Sequence, residues 1–89
     1  MIPTKRAPTH PGVILLEEFL KPNGMTQVDL AKKLGIPLQR INTIINGKRA
    51  CTAETALLLA QEFGNSPEFW MNLQSAFDLY EAKCRLKVA

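Results

Sequence analysis

The sequence predicts an all-α protein, a bundle of five helices in a single domain. Three observations support this prediction. Apolar residues recur at helical spacing in five segments, glycine and proline separate these segments, and no stretch alternates as a half-buried strand does. A chain of 89 residues, 46% of them hydrophobic, is large enough to fold alone if its helices pack well.

The first two helices are bounded by clear start and stop signals. The first follows His10-Pro11-Gly12 and ends before Pro22-Asn23-Gly24, and its apolar residues recur three or four apart. Thr26 is a suitable N-cap for the second helix, with Asp29 three residues on in a position like that of a capping box. Gly35 then suits the left-handed conformation that commonly ends a helix.

The remaining three helices carry similar signals. Pro37 suits the first turn of the third helix, which is predicted to run to about Asn46. Thr52 caps the fourth helix, whose middle is apolar nearly all round, so we expect it to be the buried central helix. The fifth helix opens at Ser66-Pro67-Glu68 and is predicted to extend to about Lys83.

Several classes of protein are disfavoured by composition. No apolar run approaches the roughly 20 residues of a membrane span, and the N-terminus lacks the apolar segment of a signal peptide, so we expect a cytoplasmic location. Cys51 and Cys84 lack metal-ligand spacing and His10 is the only histidine, so no metal or other cofactor is predicted and both thiols are expected to be free. No nucleophile motif or phosphate-binding loop indicates an enzyme.

Positive charge is concentrated in residues 26–50. This segment holds five lysines and arginines against Asp29 alone, a net charge of +4, whereas the whole chain carries +3. A basic region on a slightly acidic body indicates a polyanionic partner, although clustered charge is also found on ordinary solvated surfaces.

The third helix has two chemically different sides. At about 100° per residue, Leu38 and three isoleucines fall within one arc. The opposite side carries polar residues, namely Gln39, Arg40, Asn42, Thr43 and Asn46. Arginine can bind guanine bidentately, glutamine and asparagine can bind adenine, and threonine suits a polar base edge or a thymine methyl group. A face that is merely solvated would favour glutamate and lysine, which this side lacks.

The second and third helices together have the features of a helix-turn-helix unit. Both are short, Gly35-Ile36-Pro37 joins them, and the small residue Ala31 permits close crossing. The third helix is therefore predicted to enter the major groove of DNA. Arg40 and Gln39 are the expected main base-reading residues, and Thr43 and Asn42 are secondary.

Four further residues are predicted to bind phosphate: Gln27, Asn46, Lys48 and Arg49. The first lies in the opening turn of the second helix, where backbone N–H groups are free, and the other three follow the reading helix. Lys32 and Lys33 are expected to be outer surface rather than contact residues. Leu38 is left open, since it can contact a thymine methyl group or pack inward.

A resemblance to a known family rests on these motifs. The segment TQVDLAKKLGIPLQRINTIINGKR, residues 26–49, resembles the helix-turn-helix of XRE, or lambda-repressor-like, regulators. Residues 10–79 more narrowly resemble HigA antitoxins, also called VapI-like proteins, through the HPG, NGKR and SPEFWMNLQ segments. The resemblance implies the lambda-repressor-like five-helix fold. It also implies DNA contact at the matching positions, which are Gln27, Gln39, Arg40, Thr43, Asn46 and Lys48.

The same resemblance implies a biological role. HigA-type proteins are expected to be homodimers that bind a palindromic operator and repress their own operon. Their expected partner is a HigB-like toxin, a ribosome-dependent mRNA interferase that the antitoxin neutralises. Two alternatives stay open, a stand-alone XRE-type regulator without a toxin and a helical adaptor that binds protein.

These observations give a predicted domain plan. Residues 1–9 are a flexible basic arm, residues 10–83 are the DNA-binding domain with a C-terminal dimerisation helix, and residues 84–89 are a tail. A dimer interface is predicted on the fifth helix, because large aromatic side chains dominate such contacts. Its expected residues are Trp70, Leu73, Phe77 and Tyr80, with core packing as the alternative for any one of them.

Overall fold

Five helices account for most of residues 8–87, the part of the chain that the computed structural model describes. Helix α1 consists of an α-helical turn, Pro11–Ile14, and a π-helical segment, Leu15–Leu20. The others are α2 (Gln27–Leu34), α3 (Leu38–Ile45), α4 (Ala53–Phe63) and α5 (Pro67–Leu86). The described range contains no strand, and the predicted all-α, five-helix fold is confirmed. Most of the arm predicted for residues 1–9 lies outside the described residues.

The predicted helix caps are present. The Thr26 hydroxyl accepts a hydrogen bond from the Asp29 N–H at 3.0 Å, and the Asp29 carboxylate accepts one from the Thr26 N–H at 3.1 Å. This reciprocal capping box satisfies two N–H groups at the start of α2. Thr52 and Ser66 cap α4 and α5 without the reciprocal bond, each hydroxyl accepting from a backbone N–H three residues later.

The π-helical segment of α1 was not predicted. Its backbone bonds span five residues, as in the 3.0 Å bond from the Lys21 N–H to the Leu16 carbonyl. Leu15 and Leu20, five residues apart, are consequently both buried in the core. Val13, which α-helical spacing places on the apolar side, is 43% exposed.

Helix α4 is buried on one side only, so its predicted burial all round is wrong. Ala56, Leu59 and Ala60 face the core, but Leu57 is 59% exposed. The apolar run suggested burial on all sides, but α4 packs mainly against α5 and α2, which cover only part of its circumference.

Trp70 is a core residue, and its predicted place in a dimer interface is wrong. Its side chain has no exposed surface, and its ring lies 5.1 Å from that of Phe19 and 6.5 Å from that of Phe63, centroid to centroid. The indole N–H donates a 2.9 Å hydrogen bond to the Asn65 side chain, which satisfies the one polar atom of the ring. Within α5, Trp70 therefore anchors the helix to the bundle and offers nothing to a second subunit.

Helix α5 is longer than predicted. It continues to Leu86, three residues past Lys83, and Lys87 ends it in a left-handed conformation with φ of 58°. The sequence at 84–86 contains no glycine or proline that would stop a helix, and basic residues in the last turn favour its C-terminus. The predicted tail boundary at residue 84 is thus too early.

The HPG segment fixes α1 against α3. The His10 ring nitrogen Nδ1 accepts a 2.9 Å hydrogen bond from the Gly12 N–H and so caps α1. Gly12 lies so close to α3 that a Cβ atom there would be 1.9 Å from the Ile44 carbonyl oxygen. The His10 ring also meets the Phe77 ring of α5 edge-on at 4.8 Å. This corner therefore joins α1, α3 and α5.

Candidate nucleic-acid interface

Helices α2 and α3 are joined by a tight turn. Gly35 adopts a left-handed conformation with φ of 70° and ends α2, and its N–H donates to the Ala31 carbonyl at 2.9 Å. Pro37 is extended and precedes the first turn of α3. Ala31 is buried where the two helices meet. The geometry is that of a helix-turn-helix unit.

The outer side of α3 is polar, as predicted. Its isoleucines, Ile41, Ile44 and Ile45, are buried in the bundle. Among the polar residues, Gln39, Asn42 and Asn46 are exposed, whereas Arg40 and Thr43 are partly buried. We name the outward side of this unit the recognition surface and define it by five residues: Gln27 of α2 and Leu38, Gln39, Asn42 and Asn46 of α3.

A chain of amide hydrogen bonds links the two helices across the recognition surface. The Asn42 amide nitrogen donates to the Gln27 side-chain oxygen at 3.2 Å, and the Asn46 amide nitrogen donates to the Asn42 side-chain oxygen at 3.2 Å. Asn42 keeps one N–H and one oxygen lone pair for another partner. Among the side-chain hydrogen bonds within residues 8–87, none uses the Gln39 amide, so Gln39 has its full bonding capacity available.

Arg40 lies at the edge of the recognition surface rather than at its centre. Its side chain is 30% exposed, and its Nη1 lies 3.8 Å from the Glu54 carboxylate at the start of α4. Such a long, partly exposed ion pair is weak and can exchange for another anion or a base edge. Base reading by Arg40 stays a prediction, and Gln39 and Asn42 are more exposed than Arg40.

Thr43 directs its hydroxyl back to its own helix. The hydroxyl lies 2.9 Å from the Gln39 carbonyl and 3.1 Å from the Arg40 carbonyl, to which it donates. Its methyl group and hydroxyl lone pairs are then the groups left for a partner. Contact between Thr43 and a base also stays a prediction.

The loop after α3 places two cations beside the recognition surface. Gly47 has φ of 74°, and the N–H groups of Lys48 and Arg49 both donate to the Thr43 carbonyl, at 2.9 and 3.2 Å. The loop therefore folds back over the C-terminal end of α3, and both basic side chains are exposed. Phosphate binding by these residues stays a prediction.

Gln74 of α5 supports this loop, a role that sequence patterns did not identify. The side chain is buried, accepts a 2.7 Å hydrogen bond from the Cys51 N–H, and donates at 2.8 Å to Asp78. A buried backbone N–H without a partner is unfavourable, so Gln74 holds the end of the loop in place. No local signal distinguishes this glutamine from a surface one.

Lys32 and Lys33 are exposed on α2, and Lys32 also lines a cleft that reaches Val28 and Leu38. With Asp29, they line a separate shallow cleft beside the loop that precedes α2. The Lys33 amine lies 4.0 Å from the Glu62 carboxylate of α4. The hydrogen bonds from Thr26 hold the pKa of Asp29 below its usual value.

Leu38 points outward, although helical projection grouped it with the isoleucines. It is 45% exposed, as is Val28 of α2. Both line a cleft of about 580 Å³ together with Thr26, Gln27, Gln39 and Asn42. Leu38 is the first residue of α3, so no preceding helical turn covers its side chain. Helical periodicity gives only the direction of a side chain around the helix axis, and it therefore did not predict this exposure.

The other predicted interface residues of α5 retain accessible surface. Leu73, Phe77 and Tyr80 are half-buried, and Phe69 is 38% exposed. Leu73 packs against the core on its inner side. Contact with a second subunit through this side of α5 is compatible with their positions and stays a prediction.

The remaining chemical groups give no sign of a metal centre. Within residues 8–87, no three His, Cys, Asp or Glu side chains are placed to hold a metal ion. Cys51 and Cys84 are free, as expected, and burial raises the pKa of the Cys51 thiol to about 11. None of the helices in this range combines the length and the apolar character needed to cross a bilayer.

Comparison with known proteins identifies the family. A family model described as Helix-turn-helix matches residues 16–70, from α1 to the first turn of α5. The chain is 43% identical over 82 residues to Antitoxin HigA-1 of Vibrio cholerae, covering 92% of this chain and 77% of the relative. The chain belongs to the HigA-type helix-turn-helix family.

Solved structures support the assignment of this chain to the HigA-type family. A HigA-family addiction module antidote protein from Coxiella burnetii superposes with a TM-score of 0.85 at 49% identity, covering 90% of this chain and 87% of that one. The antitoxin HigA of Pseudomonas aeruginosa, solved with the higBA promoter, gives a TM-score of 0.85 at 37% identity, covering 88% and 85%. The predicted membership of the HigA group is thereby confirmed.

Proposed function

We propose that this HigA-type protein is a sequence-specific transcriptional repressor that binds the operator of its own operon and acts as the antitoxin of a toxin–antitoxin module. The observation that carries the proposal is the recognition surface, where Gln39, Asn42 and Asn46 expose their amides on the second helix of a helix-turn-helix unit. The Pseudomonas aeruginosa relative with the same fold has been solved with promoter DNA.

The recognition surface suits the major groove in shape and chemistry. Because the isoleucines of α3 face the bundle, its opposite side is free to enter a groove about 12 Å wide. Gln39 and Asn42 carry amides that match the paired donor and acceptor of adenine. Arg40 lies 3.8 Å from Glu54, and in the proposed complex it exchanges this weak ion pair for a guanine edge.

Contacts to phosphate fix the register of the reading helix. Lys48 and Arg49 follow α3, and Asn46 lies at its end. Gln27 occupies the first turn of α2, where exposed N–H groups and an amide can meet a phosphate. These contacts carry no sequence information themselves, but they orient Gln39 and Asn42 over the bases.

Tight operator binding requires two copies of the chain. A single helix-turn-helix unit buries little surface, and two-fold dimers solve this by reading two half-sites about 34 Å apart. We assign the dimer contact to the side of α5 that carries Leu73, Phe77 and Tyr80, because these large side chains remain only half-buried in the monomer. A palindromic operator follows from this symmetry.

The toxin-neutralising role rests on family membership. The expected partner is a HigB-like mRNA interferase encoded beside this gene, bound directly by the antitoxin. Co-expression with the neighbouring reading frame and purification through a tag on that product tests this role. Recovery of a stable complex supports the antitoxin function, whereas a toxin that stays active and unbound beside this chain refutes it.

A mobility-shift assay on the protein's own promoter tests the repressor role. The promoter duplex is compared with a scrambled duplex of the same length and composition, at several salt concentrations. A sequence-specific repressor prefers the promoter by about 1,000-fold or more, and its affinity falls steeply as salt rises. Equal affinity for the two duplexes, or binding without salt dependence, contradicts the proposal and favours a protein-binding adaptor.

A further inference from the structure

Two exposed apolar side chains lie side by side at the recognition surface: Leu38 belongs to it, and Val28 borders it. Leu38 of α3 and Val28 of α2 are each 45% exposed. They line the cleft that also contains Gln27, Gln39 and Asn42. The cleft therefore offers a partner an apolar contact beside amide side chains.

The two side chains form a ridge between two clefts. On one side lies the amide-lined cleft. On the other lies a second cleft, which the same two residues line together with Ala31, Lys32, Gly35, Ile36 and Pro37. Leu38 directly precedes Gln39, whose amide is available for an adenine edge. An apolar contact and an amide therefore sit next to each other on one turn of α3.

We propose that Leu38, supported by Val28, contacts the 5-methyl group of a thymine and so specifies a thymine beside the base that Gln39 reads. This inference rests on the proposed operator binding and deepens it. In the major groove, the thymine methyl is the apolar group by which a base pair is recognised, and side chains that select it are apolar. Methyl recognition adds a base position that the polar residues do not read.

The size of the apolar ridge favours a methyl group over a protein partner. A stable protein–protein interface buries about 800 Å² on each partner, far more than two half-exposed aliphatic side chains provide. The ridge also adjoins the amides of Gln27, Gln39 and Asn42, and the loop with Lys48 and Arg49 follows α3. Such a combination suits DNA, which presents base edges beside phosphate groups.

Replacement of single thymines by uracil in the promoter duplex tests the proposal, because uracil lacks only the methyl group. We expect one thymine in each half-site whose replacement weakens binding of the wild-type protein about fourfold, the effect of one apolar carbon. The Leu38→Ala variant should bind the thymine duplex more weakly and bind thymine and uracil duplexes equally. Val28→Ala, at the edge of the same ridge, should reduce the discrimination in part.

Leu79→Ala is the matched control, since Leu79 is a 62% exposed leucine on α5, outside the recognition surface. It should keep the full discrimination between thymine and uracil. Wild-type binding that is indifferent to every uracil replacement overturns the proposal, as does a uracil penalty that persists in both Leu38→Ala and Val28→Ala. Failure of the wild-type protein to prefer the unmodified promoter is a different result, which refutes the operator function itself and this inference with it.

Discussion

Replacing Gly12 by alanine is expected to destabilise the protein by pushing α1 away from α3. The added Cβ would lie 1.9 Å from the Ile44 carbonyl oxygen and 2.7 Å from its carbon, both backbone atoms that cannot rotate away. Ordinary contact begins near 3.4 Å, so the backbones must separate by about 1.5 Å. Overpacking of this kind costs about 3 kcal/mol at the upper end. The higher helix propensity of alanine offsets up to about 1 kcal/mol, which leaves about 2 kcal/mol.

Thermal unfolding followed by circular dichroism measures this effect. A loss of about 2 kcal/mol corresponds to a Tm roughly 8–16 °C lower for a domain of this size. Gly24→Ala is the control. Gly24 has φ of 61°, but apart from its own chain neighbours no atom of residues 8–87 lies within 4 Å of the added Cβ, so only backbone strain of about 1 kcal/mol applies. A Gly12→Ala protein that melts within about 2 °C of the wild type, or above Gly24→Ala, refutes the close packing of α1 on α3.

Three further predictions concern charge. Arg40→Ala should weaken operator binding by about 1–3 kcal/mol and relax specificity at one base position, which a binding-site selection measures; unchanged affinity and specificity would exclude Arg40 as a reader. Lys48→Ala should weaken binding to all duplexes and make the slope of log K against log salt concentration shallower by about one. Lys83→Ala on α5 should leave this slope unchanged. Equal slopes for the two variants would remove Lys48 from the phosphate contacts. Burial lowers the pKa of His10 below its usual 6.5, although Asp78 opposes this shift. As pH falls, His10 therefore takes up a proton in the unfolded chain before it does so in the folded protein. The free energy of unfolding should be independent of this group above about pH 7 and should decrease below about pH 6.5. Urea unfolding at pH 7.5 and 5.5 measures this loss, which should shrink in His10→Asn; an undiminished loss in that variant would assign it to another group.

Local signals in the sequence explain why much of the fold was predictable. Thr26, Gly35 and Thr52 act through bonds and dihedral angles within a few residues, so their roles as caps follow from residue type and spacing alone. The outward polar side of α3 was predictable for a similar reason, since three isoleucines at helical spacing define the buried side.

Features that depend on tertiary packing were not predictable in this way. Trp70 and Phe69 are adjacent aromatic residues, and only the position of Phe19 and Asn65 decides that Trp70 enters the core. The exposure of Leu38 depends on α2 leaving the first turn of α3 uncovered. Arg40 lies at the edge of the recognition surface because α4 brings Glu54 beside it.

The most direct test of operator reading compares wild type with the double variant Gln39→Ala/Asn42→Ala on promoter and scrambled duplexes. The exposed amides Gln61 and Asn72, on α4 and α5, provide a matched double-alanine control. Removal of the Gln39 and Asn42 amides should lower the ratio of promoter affinity to scrambled-duplex affinity by about 10-fold or more per residue. The affinity for the scrambled duplex itself should change little. A double variant that keeps the full wild-type preference, or a control that loses it equally, would contradict sequence reading by the outer side of α3.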